Sequence, residues 1–599
     1  MNDHPIGRRF IGAFAALCVM LMVATPLAAV ELRFATPGAS KEVRKLLLAA
    51  SLLQSDVAGG GTSDPAEVLA AARADYGRLV GALYDQGHYS GVISIRLDGR
   101  EAANISPLGP PSQVRVVEVS VNPGGPFTFG RAQIGPLAPE TLLPPGFAPG
   151  QPAKTEAVRD AALAAVTAWQ DAGHAKALPD RQNITADHAA RRLDTEIGIN
   201  PGPRVTFGRF LIKGNTRTKE QRIREIAGFP EGTVYSPAEL ELAAKRLRRT
   251  GAFRSVSIKE AEALGPEDTL DITTTLVEEK RRRLGYGAEY STIEGFTLSA
   301  FWLHRNLLGG AERLRFDAEI SGIGGTTGGI DYALGTRLTR PATFGPDTSS
   351  YFEAELERLD EPNFQSENAS VGVGLSRIIS ETLTAEVGVE YRFSHVTDAS
   401  GTTDFHLLNL PLNVVFDNRD NALDATTGYF VDATVMPFVG LNGSSSGARI
   451  SADARTYRQF GERLTLAGRL QFGSVAGAAI GAVPQDYLFY SGGGGTVRGH
   501  SYQSLGVTSG GATTGGRSFA GMSVELRSKV TDKIGVVGFF DYGYVGAESF
   551  PDGSGASHSG AGLGLRYDTG IGPIRLDVAA PLSGAGNNLQ VYVGIGQAF

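Results

Sequence analysis

Leu589-Gln590-Val591-Tyr592-Val593-Gly594-Ile595-Gly596-Gln597-Ala598-Phe599 is the stretch whose reading decides the fold. Leu589, Val591, Val593 and Ile595 share one parity, and Gln590, Tyr592, Gly594 and Gly596 take the other. A period of two marks a strand, whose successive side chains point to opposite faces. The same alternation runs upstream, where Ile574, Leu576 and Val578 interleave with Arg575 and Asp577, and Met522, Val524 and Leu526 with Ser523, Glu525 and Arg527. From about residue 284 onward this pattern replaces helical periodicity, and turn signals delimit sixteen candidate strands up to residue 597. Most reach the ~9–11 residues that cross a bilayer at a tilt, and an even count suits a bacterial barrel. A soluble double sandwich alternates too, but its outward residues would be the polar ones. After residue 30 no run of 18 apolar residues occurs, and only helices and closed barrels satisfy every backbone group in lipid. The expectation is an all-β transmembrane barrel of sixteen antiparallel strands over residues 281–599.

Composition agrees with many tight turns and crowded strands. Glycine supplies 78 of 599 residues while the hydrophobic fraction stays at 42%, against a usual glycine level of roughly 7%. The formal net charge of −7 gives no basic footprint, which argues against nucleic acid as the main partner. Arg8-Arg9, an apolar run from Phe10 to about Ala24, and Pro26-Leu27-Ala28-Ala29 are the three parts of a secretory signal peptide, expected over residues 1–29. Cys18 lies inside it, so the processed chain would hold neither disulfide nor thiolate metal site.

The N-terminal half is built of repeats. Asn122-Pro123-Gly124 matches Asn200-Pro201-Gly202, Thr128-Phe129-Gly130-Arg131 matches Thr206-Phe207-Gly208-Arg209, and Gly173 matches Gly251, each 78 residues apart. One offset at three separated places indicates tandem copies of a small domain. Gly87-His88-Tyr89 marks a third copy upstream. Asp64-Pro65 opens a helix to about Gln86 and Pro237 another to about Thr250, each followed by strand-like runs. We expect copies at 31–112, 113–202 and 203–280, each reading strand, helix, helix, strand, strand.

Between the eleventh and twelfth candidate strands, residues 474–516 form a long connection carrying Gly492-Gly493-Gly494-Gly495-Thr496-Val497-Arg498-Gly499-His500. No strand-to-helix context or Lys-Ser/Thr follows, so a phosphate cradle fits poorly. Together with the repeats and barrel, this segment resembles the Val-Arg-Gly-aromatic motif of the POTRA–barrel assembly and translocation family, the bacterial surface antigen group that includes TamA and BamA. The resemblance implies that the loop folds into the lumen and that Arg498 meets acidic residues of the inner wall, Glu525 and Asp541. Phe540, Tyr542 and Tyr544 would then face lipid. His500 stands where the family usually has Tyr or Phe. Asp417-Asn418-Arg419-Asp420-Asn421, with Gly428 after it, resembles a further family signature, with Ala425 in place of a frequent Pro. Phe599 resembles the aromatic sorting signal of such barrels, on the lipid face of the last strand.

The resemblance implies an outer-membrane assembly factor of a Gram-negative bacterium, with periplasmic repeats that offer edge strands by β-augmentation. Its partners would be client outer-membrane proteins, the outer-membrane lipid and an inner-membrane partner of the TamB type at the first repeat. Three repeats favour the TamA branch. The first and last strands, 284–292 and 589–596, would form a seam that opens, with residue 287 opposite residue 594. Gly594 and Gly596 would weaken the last strand's pairing. A passive pore or receptor is the other reading; it leaves the repeats and the loop unexplained. An enzyme is not expected. Gly443-Ser444-Ser445-Ser446-Gly447 lacks the strand-turn-helix context of a nucleophile elbow, and the nine His show no metal-ligand spacing, so no cofactor is expected.

Overall fold

The computed structural model describes residues 30–57, 64–291, 295–325, 328–509, 511–570, 572–583 and 589–599. The signal-peptide reading and Cys18 lie outside the described residues. The chain folds as two units, one closing at Thr206 with Thr233–Pro237 added, the other holding most of the third repeat and the C-terminal half.

That half is a closed barrel of sixteen antiparallel strands: β1 Arg282–Ser291, β2 Gly295–Arg305, β3 Arg313–Ile323, β4 Asp331–Arg340, β5 Thr348–Glu361, β6 Phe364–Ile378, β7 Leu383–Asp398, β8 Gly401–Asn409 with Leu412–Asp417, β9 Gly428–Leu441, β10 Gly447–Phe460, β11 Leu464–Ala476, β12 Ser518–Lys529, β13 Ile534–Gly546, β14 Ala556–Thr569, β15 Gly572–Pro581 and β16 Gln590–Ile595. β8 is interrupted at Leu410-Pro411, and both of its segments pair with β7 and β9. Pro has no amide proton to give the ladder, so the break falls where a donor is missing. The outer face is apolar. Leu356, Val373, Leu470, Val524, Leu526, Leu563 and Leu576 are exposed there, an area that water would not tolerate on a monomer and lipid would. The inner face carries Arg, Asp and Glu on β3, β5, β7, β10 and β12.

In the first repeat Glu31–Ala35 pairs in parallel with Val116–Asn122, which in turn pairs antiparallel with Val92–Leu97. Helix Pro65–Asp85, capped by the Asp64 side chain, covers this sheet with Val68, Leu69, Leu79 and Leu83. The strand 116–122 therefore closes the first repeat, and the expected boundary at 112/113 moves to about 123. The second repeat comprises Thr128–Gly135, helix Thr155–Asp171, Leu178–Asp187 and Arg192–Asn200. It lacks the expected first helix, because its place is taken by a run with Pro136, Pro139, Pro144, Pro145, Pro149 and Pro152, which cannot sustain a hydrogen-bonded helix. The third has both helices, Glu220–Ala227 and Pro237–Arg249, with strands Thr206–Lys213, Phe253–Glu260 and Thr269–Glu278. The repeat is visible atom by atom. Arg131 N donates to Asp194 Oδ1 at 2.7 Å, and Arg209 N to Asp271 Oδ1 at 2.7 Å. Gly87, Gly173 and Gly251 all adopt positive φ at helix exits, as a left-handed cap requires.

The third repeat is fastened to the barrel within its unit. Lys219 N donates to Gly309 O, Asn306 Nδ2 to Thr218 Oγ1, and Arg222 to the main chain of Pro341 and Ala342. Arg246 and Arg249 both pair with Asp347 in the β4–β5 turn.

Candidate functional site

The connection from β11 to β12 folds back into the lumen. Its first part packs Val483, Tyr487 and Leu488 against Phe405, Leu407 and Phe438 of the wall. At its tip Gly493 N donates to His500 O, and the wall residue Arg469 donates to Gly495 O at 3.0 Å. Val497 is fully buried.

Arg498, 3% exposed, lies at the centre of an ion cluster. Its Nε and Nη2 donate to Asp541 Oδ2 and Oδ1 at 2.7 and 2.9 Å, a planar fork matched to a carboxylate. Nη1 donates to Glu525 Oε1 at 2.7 Å and to Asp577 Oδ2 at 3.2 Å. The guanidinium carbon sits 3.6 Å from the centroid of the Phe539 ring. Arg527 donates to Glu525 Oε2 at 2.9 Å, and Arg566 to Asp577 Oδ1. Three cations thus meet three carboxylates, all buried. The sum is neutral, which is what lets so many charges leave water.

Where the loop's backbone comes closest, the wall carries glycines. A Cβ at Gly560 would lie 2.0 Å from Arg498 O, and one at Gly543 would lie 2.9 Å from Val497 Cγ2. Gly499 itself has φ +94° and lies against Ala580 and Pro581. His500 Nε2 is 2.9 Å from Ser559 O, and the ring stands 4.1 Å from that of His558.

The sequence-predicted residues divide as follows. Arg498, Glu525 and Asp541 come together as expected. Asp577, Arg527, Arg566 and Phe539 were missed; Asp577 and Arg527 share the inward parity already evident in their strands, and that signal would have found them. Tyr542 faces outward and Phe540 is half-exposed, but Tyr544 is buried, its hydroxyl bonded to Asp552 and Gly555 in the following turn. It does not face lipid. Phe599 does not lie on the lipid face either. β16 ends at Ile595, Gly596 takes φ +92°, and the chain bends inward. Phe599 then packs on Ala425, Tyr457 and Ala467 of the lumen side, and its main-chain oxygen accepts from Arg527 at 2.9 Å.

Arg527 links this end to the Asp417–Gly428 turn. Arg419 forks onto Asp417, and Asp420 accepts from the Thr426 and Thr427 amides. Gly428 has φ +104°, with Asn418 O only 2.5 Å from a notional Cβ. The turn then holds the chain's last residues, since Gln597 N donates to Leu423 O and Gln597 Nε2 to Asp424 Oδ1.

The seam between β1 and β16 leaves most of β1 unpaired on that side among the described residues. Among the described residues only Tyr290↔Val593 and Ser291↔Tyr592 pair across it, whereas β1 pairs with β2 along its full length. Extended by one step, this register would set residue 289, not 287, opposite 594, because parity in a sequence reports the face of a strand and not its slip.

The Omp85 superfamily domain matches residues 306–599, and the surface antigen variable number repeat (POTRA) matches residues 205–279. The outer membrane protein assembly factor BamA of Nitratidesulfovibrio vulgaris is 23% identical over 324 residues, 52% of this chain and 40% of that protein. BamA of Neisseria meningitidis serogroup B is 24% identical over 119 residues, 20% of this chain and 15% of that protein. The matches span less than half the length of these curated relatives. Haemophilus ducreyi BamA lacking POTRA domains 1–3 shares the fold with a TM-score of 0.62 at 17% identity, over 79% of this chain and 100% of that one. CdiB from Acinetobacter baumannii does so at 0.50 and 13%, over 79% and 90%.

Proposed function

We propose, from the premise that this chain belongs to the Omp85 superfamily of POTRA-bearing outer-membrane barrels, that it inserts or translocates client proteins through a seam that opens sideways. The observation that carries this reading is the seam itself: among the described residues its ladder stops at Tyr290↔Val593 and leaves β1 from Glu289 back to Arg282 without a ladder partner on that side, although β1 pairs with β2 along its full length. An unpaired strand edge at the membrane is costly and seeks a partner strand. The edge of β1 below Tyr290 is such a template. No covalent chemistry is required of the chain, and we assign it no enzymatic activity or cofactor. The loop-filled lumen favours this reading over a passive pore.

A disulfide between Tyr290→Cys and Val593→Cys tests it. In liposomes holding the full chain, the oxidised form should fail to insert a client barrel and the reduced form should recover. A locked barrel that still inserts clients would refute lateral opening. Three repeats favour the autotransporter-assembly branch typified by TamA, with a TamB-type inner-membrane partner at the first repeat. The second repeat's edge strand Leu178–Asp187, exposed at all but one residue, suits pairing with extended client segments. Pull-down from cross-linked cells through residues 31–110 identifies the partner; recovery of outer-membrane components alone would count against the inner-membrane assignment.

A further inference from the structure

We propose that Glu289 and Arg575 form a latch that holds the seam shut by reaching over the last strand at Gly594. Glu289 is on β1 and Arg575 on β15, with β16 between them. Arg575 Nη2 nevertheless donates to Glu289 Oε1 at 2.7 Å. The contact passes over a residue without a side chain. A Cβ on Gly594 would lie 3.0 Å from Arg575 Nε, 3.1 Å from Glu289 Oε1 and 3.3 Å from Arg575 Nη2. An alanine Cβ there would crowd all three atoms by a few tenths of an ångström, and a branched side chain would stand between them. Arg575 is steadied from the other side, where its Nη1 donates to Gln597 O at 3.2 Å. Among the described residues Glu289 is the one carboxylate it pairs with. Both groups border a lumen cavity of about 300 Å³ beneath the loop tip.

The placement gives the pair its leverage. Elsewhere in the barrel, ladders of many residues hold neighbouring strands, and one surface ion pair would change little. Here the ladder stops at Tyr290↔Val593, and the ion pair ties β1 at the next position, where among the described residues no backbone pair follows. Opening must break it, because β1 departs with Glu289 while Arg575 stays. Gly594 thus serves as a passage for the latch.

The latch rests on the seam being the exit proposed above, but its test needs no client. On a Cys18→Ser background, the rate of disulfide formation between Tyr290→Cys and Val593→Cys reports how often the seam is closed. With the full chain in liposomes at low salt, Glu289→Gln or Arg575→Gln should slow it by about two- to fivefold, roughly 0.4–1 kcal/mol at 1.36 kcal/mol per tenfold. Glu289→Arg combined with Arg575→Glu should restore the rate, and Gly594→Val should mimic the single variants. In the cysteine pair alone, the rate should fall as salt rises toward 1 M, where the screening length is about 3 Å. Unchanged rates in the single variants, a swap that fails to restore, or a salt-independent rate would each overturn the latch. Client insertion and the effect of the locked seam would then stand as before.

Discussion

Arg498 holds three carboxylates and an aromatic ring at once, so its loss leaves Glu525, Asp541 and Asp577 buried with two cations between them. Breaking a buried ion network by removing one partner costs about 3–5 kcal/mol. Arg498→Ala should therefore yield an assembled barrel with a clearly lowered unfolding temperature, measured by heat-modified gel mobility, and poor client insertion. Arg498→Lys should fall between, since an ammonium cannot fork onto Asp541. Unaltered heat stability in the alanine variant would remove the cluster from any structural role. Gly560→Ala makes a complementary case on the wall. Its Cβ would meet Arg498 O at 2.0 Å, and overpacking of this kind costs about 1–3 kcal/mol. It should raise protease cleavage within residues 492–500 while leaving the strands protected; a loop as resistant as in the parent would contradict the close approach. At this scale the sequence was partly legible. The motif named Arg498 and two partners, and parity alone places Asp577 and Arg527 inward. Phe599 was not legible, because a single left-handed glycine at 596 ends the alternation on which its placement relied.

Among the elements, the third repeat and the short turns of the barrel are bound by charge. The Arg246 guanidinium, with that of Arg249, holds the Asp347 carboxyl below its ordinary value despite partial burial. Burial pushes Glu278 upward, but donors from Arg217, Thr218 and Thr216 hold it well below the usual carboxylate range. Both folded-state values are depressed, so their contribution is complete above the unfolded values near about 4 and is lost as pH falls through the folded ones. Amide exchange in helix 237–249 should thus be flat from neutral pH to about 4, after correction for intrinsic rates, and rise below it. Asp347→Asn should raise it already at neutral pH. Equal protection in that variant would show that the main-chain contacts of Lys219 and Arg222 suffice. The long helix 65–85 and the alternating strands were readable because capping residues and periodicity are local. The missing helix of the second repeat was masked by the regularity of the offset, although its prolines announce it. Register was out of reach, since a slip of two residues leaves every parity unchanged.

For the molecule as a whole, sixteen strands and a lipid-compatible exterior followed from alternation over three hundred residues, where many weak local signals add. How the lumen is filled did not follow from alternation, because it depends on contacts between segments far apart in sequence; only the resemblance of the motif at 497–500 placed the loop there. That filling sets the expected conductance. Single channels of the intact chain should be small and flickering, and deletion of residues 492–500 should give larger, steadier steps; a large constant conductance from the parent would favour a passive pore. The inward bend at Gly596 has a consequence for which side of the seam can move. With Phe599 packed on Ala425, Tyr457 and Ala467 and its main-chain oxygen held by Arg527, the stretch after β16 is moored to the wall at β10 to β12, so a seam that parts there would swing β1 away and leave β16 at anchor.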